Sequence, residues 1–186
     1  MRVPQRWTTV VATLALVAAA AAGCGGDADD AGTTATGPAD ATSTAAATAP
    51  ATVTVTLWFA DADGRLRTER RAVPAGDDRL RAALDALAAG PTDPALLPAL
   101  PAGTRVLGAS SDGALATVDL SGAFTSGYPP GGAAAELAIV GPLVRTAAAA
   151  SGAPRVLVRV EGGTPVPTGS QFDFSVPFSP GDLPAP

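Results

Sequence analysis

The chain has 186 residues with 12 basic and 17 acidic side chains, no histidine, one cysteine and a net charge of −5. Every basic residue is an arginine, which excludes histidine triads and zinc sites, P-loops, Schiff bases and Ser-Lys dyads; carboxylate pairs, Asp/Glu metal sites and Ser or Tyr nucleophiles survive. The hydrophobic fraction of 47% is inflated by alanine and only 4% of residues are aromatic, so the chain supports one modest core.

Residues 1–23 read as a secretory signal. Arg2 and Arg6 give a positive start, Val10 to Ala22 is apolar apart from Thr13, and Ala21, Ala22 and Gly23 are small. The apolar run falls short of the ~20 residues that a membrane-spanning helix needs. Ala21-Ala22-Gly23-Cys24 resembles the lipobox of bacterial lipoproteins, with Ala21 where leucine is usual. That resemblance implies a lipid on the Cys24 thiol, palmitate among its acyl chains, and a domain anchored on the extracytoplasmic face of the cell membrane. The sole cysteine has no disulfide partner. A soluble secreted protein or an uncleaved anchor are the other readings, and both leave the domain outside the cytoplasm. Loss of Arg2 and Arg6 with the signal takes the net charge from −5 to −7, and without a basic stripe no nucleic-acid partner is expected.

After Cys24, residues 25–51 contain Gly, Asp, Ala, Thr, Ser and Pro and no large apolar side chain, so residues 24–51 are expected to be a disordered tether. About 27 such residues reach roughly 25–30 Å.

The folded domain is expected over residues 52–178, with a flexible tail at 179–186. Thr52 to Phe59 alternates as a half-buried strand, with Val53, Val55, Leu57 and Phe59 inward. Asp61 to Gly64 is a turn, and Leu66 to Val73 returns as a charged edge strand. Leu80, Leu84 and Leu87 mark one face of a helix capped by Asp77 or Gly76 and ended by Gly90-Pro91. After a Pro- and Leu-rich connection, Thr104 to Ala109 and Ala114 to Leu120 form a hairpin around Asp112-Gly113. Ala133 to Ala150 is a second helix that Pro142 should kink or split near Ala138. Arg155 to Val160 is a further strand, and Gln171 to Val176 a final edge strand. This order predicts an α+β two-layer domain, a mostly antiparallel sheet with two helices on one face.

Val55-Thr56-Leu57-Trp58-Phe59-Ala60-Asp61, Ala89-Gly90-Pro91-Thr92, Leu100-Pro101-Ala102-Gly103-Thr104-Arg105-Val106-Leu107 and Ala116-Thr117-Val118-Asp119-Leu120-Ser121, in that order, resemble the GerMN domain of sporulation and spore germination. The resemblance spans about Thr52 to Val176. It implies a fold similar to ring-building modules, an extracytoplasmic setting and no enzymatic activity; no cofactor or metal is expected.

Each candidate for chemistry has a plainer explanation. Asp61, Asp63 and Gly64 suggest half a calcium loop, but the twelfth position is Ala72, and a turn is preferred. Gly108 to Gly113 lacks both nucleophile-elbow spacing and a histidine, and reads as a hairpin turn. Glu69, Glu136 and Glu161, the only glutamates, are expected at the surface. Arg65, Arg67, Arg70 and Arg71 either meet an acidic partner or guard an edge strand, and the guard reading is preferred. The expectation is a non-enzymatic docking module with an envelope protein partner; the alternative is a module sensing a cell-wall or lipid ligand. A flat exposed patch would favour the first and a concave apolar pocket the second.

Overall fold

The structure, a computed structural model, describes residues 51–129 and 132–184. The expected signal at 1–23, Cys24 and the tether up to Pro50 lie outside the described residues.

Strands β1 (Thr52–Asp61) and β2 (Leu66–Pro74) pair antiparallel with Leu57 opposite Glu69 and Trp58 opposite Thr68. Their alternation buries Val55, Leu57 and Phe59 on one face, as the sequence pattern requires. The Asp61 carboxylate closes the hairpin, accepting from the amides of Asp63 and Arg65 at 3.0 and 2.9 Å, while Gly64 supplies the positive φ of 77°. Helix α1 (Arg79–Ala88) follows, burying Leu80, Ala83, Leu84 and Leu87. Asp78 occupies its N-cap position, without a side-chain capping bond. A two-residue strand β3 (Leu96–Leu97) then pairs with Ala60 and Asp61, giving a first sheet of order β2-β1-β3.

The second sheet has the order β4-β5-β6, formed by β4 (Val106–Ser111), β5 (Leu115–Leu120) and β6 (Arg155–Val160). Asp112 turns the β4–β5 hairpin by accepting from the amides of Ala114 and Leu115. Strands β5 and β6 run parallel, which demands a crossover, supplied by α2 (Ala123–Ser126) and α3 (Ala133–Ser151). The α+β class therefore stands, but the strands sort into two three-stranded sheets, one of them mixed, rather than a single sheet.

Helix α3 explains that division. It is continuous across Pro142, so the expected split near Ala138 does not occur. Val140, Leu143, Val144 and Ala147 are fully buried and Pro142 itself is buried; packing against α1 and strands of both sheets offsets the missing hydrogen bond. At Gly141 an added Cβ would stand 3.2 Å from Leu66 Cδ1, so the glycine admits the end of β2. The helix also serves a backbone group of β1: the amide of Trp58 donates to Thr146 Oγ1 at 3.0 Å. A side chain thus takes the place of a neighbouring strand. Thr146→Val, similar in shape but without an acceptor, is expected to cost about 1–3 kcal/mol in urea denaturation. An unchanged midpoint would remove the bond's importance.

Beyond β6 the expected edge strand at Gln171 to Val176 is absent. Ser170 and Asp173 instead bend the chain by accepting from the amides of Phe172 and Ser175, and the described residues beyond β6 form only isolated bridges, Gly163 with Val160 and Phe178 with Val156. Those bends bring Phe172, Phe174 and Phe178 into edge-to-face contact. The boundary expected at residue 178 also moves: Leu183 is buried, and Arg145 Nη2 donates to the carbonyl oxygens of Leu183 and Pro184 at 3.4 and 2.7 Å. Arg145 lies over the Trp58 ring, 5.6 Å from its centroid. Gly127, at the end of α2, faces Pro101, whose Cβ would lie 2.8 Å from an added methyl. Gly127→Ala is expected to cost about 1–3 kcal/mol by overpacking, read as a lower melting temperature; an unshifted melt would show that Pro101 yields freely.

Candidate functional site

Glu136 sits in the first turn of α3 and is fully buried, which corrects its expected surface position. The sequence offered one clue, a lone carboxylate in the otherwise apolar run from Ala133 to Val144. Ser170 Oγ donates to Oε2 at 2.8 Å, Tyr128 Oη at 3.2 Å, and the Gln171 amide reaches both carboxylate oxygens. Burial acts to raise the pKa, but donation by Ser170, Gln171 and Tyr128 outweighs it and holds Glu136 below its usual value. Burial, together with the Glu136 charge and hydrogen bond, pushes the Tyr128 phenol up. The carboxylate ties the segment after β6 to the start of α3.

The other glutamates have separate tasks. The Glu69 side chain is only 13% exposed and accepts from the Thr92 amide at 2.9 Å and from the Arg71 guanidinium. Burial works against ionisation, but those bonds keep its pKa low. Arg71 also donates to the carbonyls of Ala86 and Gly90 at 2.7 and 3.0 Å, satisfying groups at the end of α1. Glu69 and Arg71 thus fasten α1 to β2. Glu161 meets the Gly122 amide at 3.3 Å. Among the described residues the three glutamates share no hydrogen-bond partner.

The arginine group of the β1–β2 turn and β2 is largely consumed internally. Arg65 pairs with Asp63, Arg67 with Asp61 and Arg71 with Glu69; Arg70 makes no ion pair among the described residues. Asp61, whose pKa is held low chiefly by the Arg65 amide, serves the turn and Arg67. In the other hairpin Ser111 Oγ accepts from the Gly113 amide, the turn expected there. Among the described residues, no group of three or more Cys, Asp or Glu is placed to hold a metal ion.

Two features remain open. The first is the outer face of the second sheet. Its inner face, with Ala116, Val118, Leu120, Val156 and Val158, is fully buried. By register the outer face aligns Leu115 with Arg155, Thr117 with Leu157 and Asp119 with Arg159, and these side chains stay partly or fully exposed. Leu107, 46% exposed, lies at a bulge in β4 along the same sheet. Arg155 and Arg159 make no ion pair among the described residues. The second feature is a groove of about 240 Å³ in the segment after β6, lined by Val166, Ser170, Phe172 and Asp173 among others. A smaller apolar cavity of about 60 Å³ lies between Leu66, Leu137, Gly141 and Leu183. Both are below the roughly 300–1,000 Å³ of small-molecule sites.

The fold and these surfaces define a small α+β module with an uncovered sheet face. Residues 56–166 match the family described as "Germane: Sporulation and spore germination", and the chain belongs to that family. The fold is similar to that of the first GerMN domain of the sporulation protein GerM from Bacillus subtilis, with a TM-score of 0.50 and 23% identity over 60% of this chain and 84% of that one. It is similar to the tandem GerMN domains of GerM, with a TM-score of 0.51 and 24% identity over 61% of this chain, but spans only 40% of the tandem structure. A candidate lipoprotein from Clostridium perfringens is similar at a TM-score of 0.50 and 22% identity, over 71% of this chain and 90% of that one. No curated protein matches the chain.

Proposed function

We propose that the protein is a lipid-anchored, extracytoplasmic docking module of the cell envelope, without enzymatic activity, that holds another envelope protein near the membrane. The observation that carries this reading is the uncovered face of β4, β5 and β6. It mixes Leu115 and Leu157 with Arg155 and Arg159, the apolar and arginine content favoured at interfaces. The family's link to sporulation and germination and the lipoprotein description of one structural neighbour support an envelope setting. The lipobox-like sequence at Cys24 supports anchoring, and the small cavities weigh against a ligand sensor.

A photocrosslinker placed at Thr117 in the full chain should capture a reproducible membrane-fraction partner in living cells. Leu157→Glu should abolish that capture while leaving the melting temperature within a degree or so, as surface substitutions do. Capture that survives Leu157→Glu and charge reversal at Arg155 and Arg159 would overturn the docking face. Cys24→Ser should release the chain from membranes on fractionation; retention would overturn lipid anchoring.

A further inference from the structure

Glu136 is buried and ionised without a cation beside it. Its partners are hydroxyls and an amide, and no arginine pairs with it among the described residues. Buried charges are ordinarily paired, because neutral donors satisfy geometry but leave the net charge uncompensated. The charge also lies directly behind an open surface. Ser170 donates to Glu136 at 2.8 Å and itself lines the groove of about 240 Å³.

The groove carries one charged residue of its own, Asp173. Its Oδ1 accepts from the Ser175 amide at 2.8 Å and the Ser175 hydroxyl at 2.6 Å; no bond to Oδ2 is made among the described residues. The surrounding segment is one-signed: after Arg159 the chain has Glu161, Asp173 and Asp182 and no basic residue. The half-buried Phe172 and the 82%-exposed Val166 add apolar surface. Pro165 and Pro167 restrict the backbone on one side, so little conformational freedom is lost when the groove is filled. One long side chain fills a space of this size.

We infer that this groove receives an arginine or lysine side chain of a partner protein, the aliphatic stem on Phe172 and Val166 and the cationic head toward Asp173 and the Glu136–Ser170 pair. Negative potential focused by the low-dielectric wall selects the cation. The inference rests on the docking reading but uses a surface separate from the open sheet face.

The test is an amide-shift titration of the full chain, solubilised in detergent, with N-acetylarginine amide and, in parallel, N-acetylnorleucine amide. Saturable shifts confined to Ser170 through Ser175 with the arginine compound, weakened by salt and about fivefold by Asp173→Asn, are expected. Equal shifts with the norleucine compound, no saturable shift, or an unchanged response in Asp173→Asn would overturn the inference. Equal effects of magnesium chloride at matched ionic strength would also overturn it, by revealing a generic cation site. Leu157→Glu should leave this titration unchanged, so failure at the groove and failure at the sheet face are separately visible.

Discussion

Glu136→Ala should lower the stability of the domain by about 3–5 kcal/mol, because the Gln171 amide and the hydroxyls of Ser170 and Tyr128 lose their acceptor together while a buried space opens. Glu136→Gln keeps the volume and one acceptor and should cost about 1–3 kcal/mol. Urea denaturation followed by far-ultraviolet circular dichroism measures both. If Ala and Gln cost the same, the loss comes from the missing charge and not from the orphaned donors. The effect has a pH signature with a defined sign. A carboxyl whose pKa is lower in the folded state than its ordinary 4.5 contributes stability that is complete above that value and is lost as pH falls through the folded pKa. The native protein should therefore weaken steadily below about pH 4.5, and Glu136→Gln should flatten that decline. Residual acid sensitivity in the variant is assigned to the other carboxyls held low by their hydrogen bonds, Glu69 and the turn aspartates Asp61, Asp112 and Asp173.

Phe124→Ala should cost about 3–5 kcal/mol, the range for removing a buried aromatic ring. Phe124 is fully buried, with ring centroids of Tyr128 and Phe174 at 5.6 and 6.0 Å, so one substitution weakens contacts both within the α2 region and with the segment after β6. Near-ultraviolet dichroism should fall along with the melting temperature, since Tyr128 and Phe174 lose their fixed surroundings. A large drop in stability with an unchanged aromatic spectrum would mean that the cluster reseals without Phe124. Val166→Ser, on the exposed rim of the groove, serves as the small-effect comparison.

Local chemistry made much of the fold legible. Alternation over Thr52 to Phe59, the Leu80, Leu84 and Leu87 face and the Asp112-Gly113 turn all lie where their periodicities place them. The failures share a cause: tertiary contacts that no local window contains. Pro142 signals a break, yet α3 is surrounded by apolar partners and continues. Gln171 to Val176 alternates like a strand, but Ser170 and Asp173 bend it, and the aromatic cluster is buried instead of a sheet edge extended. The candidate site was less legible still. Glutamate is ordinarily a surface residue, and only the arrival of Ser170 and Gln171 from 34 and 35 residues away makes Glu136 a buried acceptor. Likewise, the arginines of β2 stand out as a dense run, whereas Arg155 and Arg159 become part of one exposed face only when β6 aligns beside β5.

The antiparallel register of β1 and β2 also has a mechanical meaning. A pull arriving through the residues before Thr52 enters the domain at the first residue of β1, directly opposite Pro74 at the far end of β2. Tension along the strand axis loads the rungs from Thr52 to Ala60 in shear, many hydrogen bonds at once, with the Trp58–Thr146 bond adding a brace to α3. Tension across the axis would instead peel them one at a time. A module held on one side and docked on the other would thus resist force according to its direction, strongest when membrane and partner draw along β1.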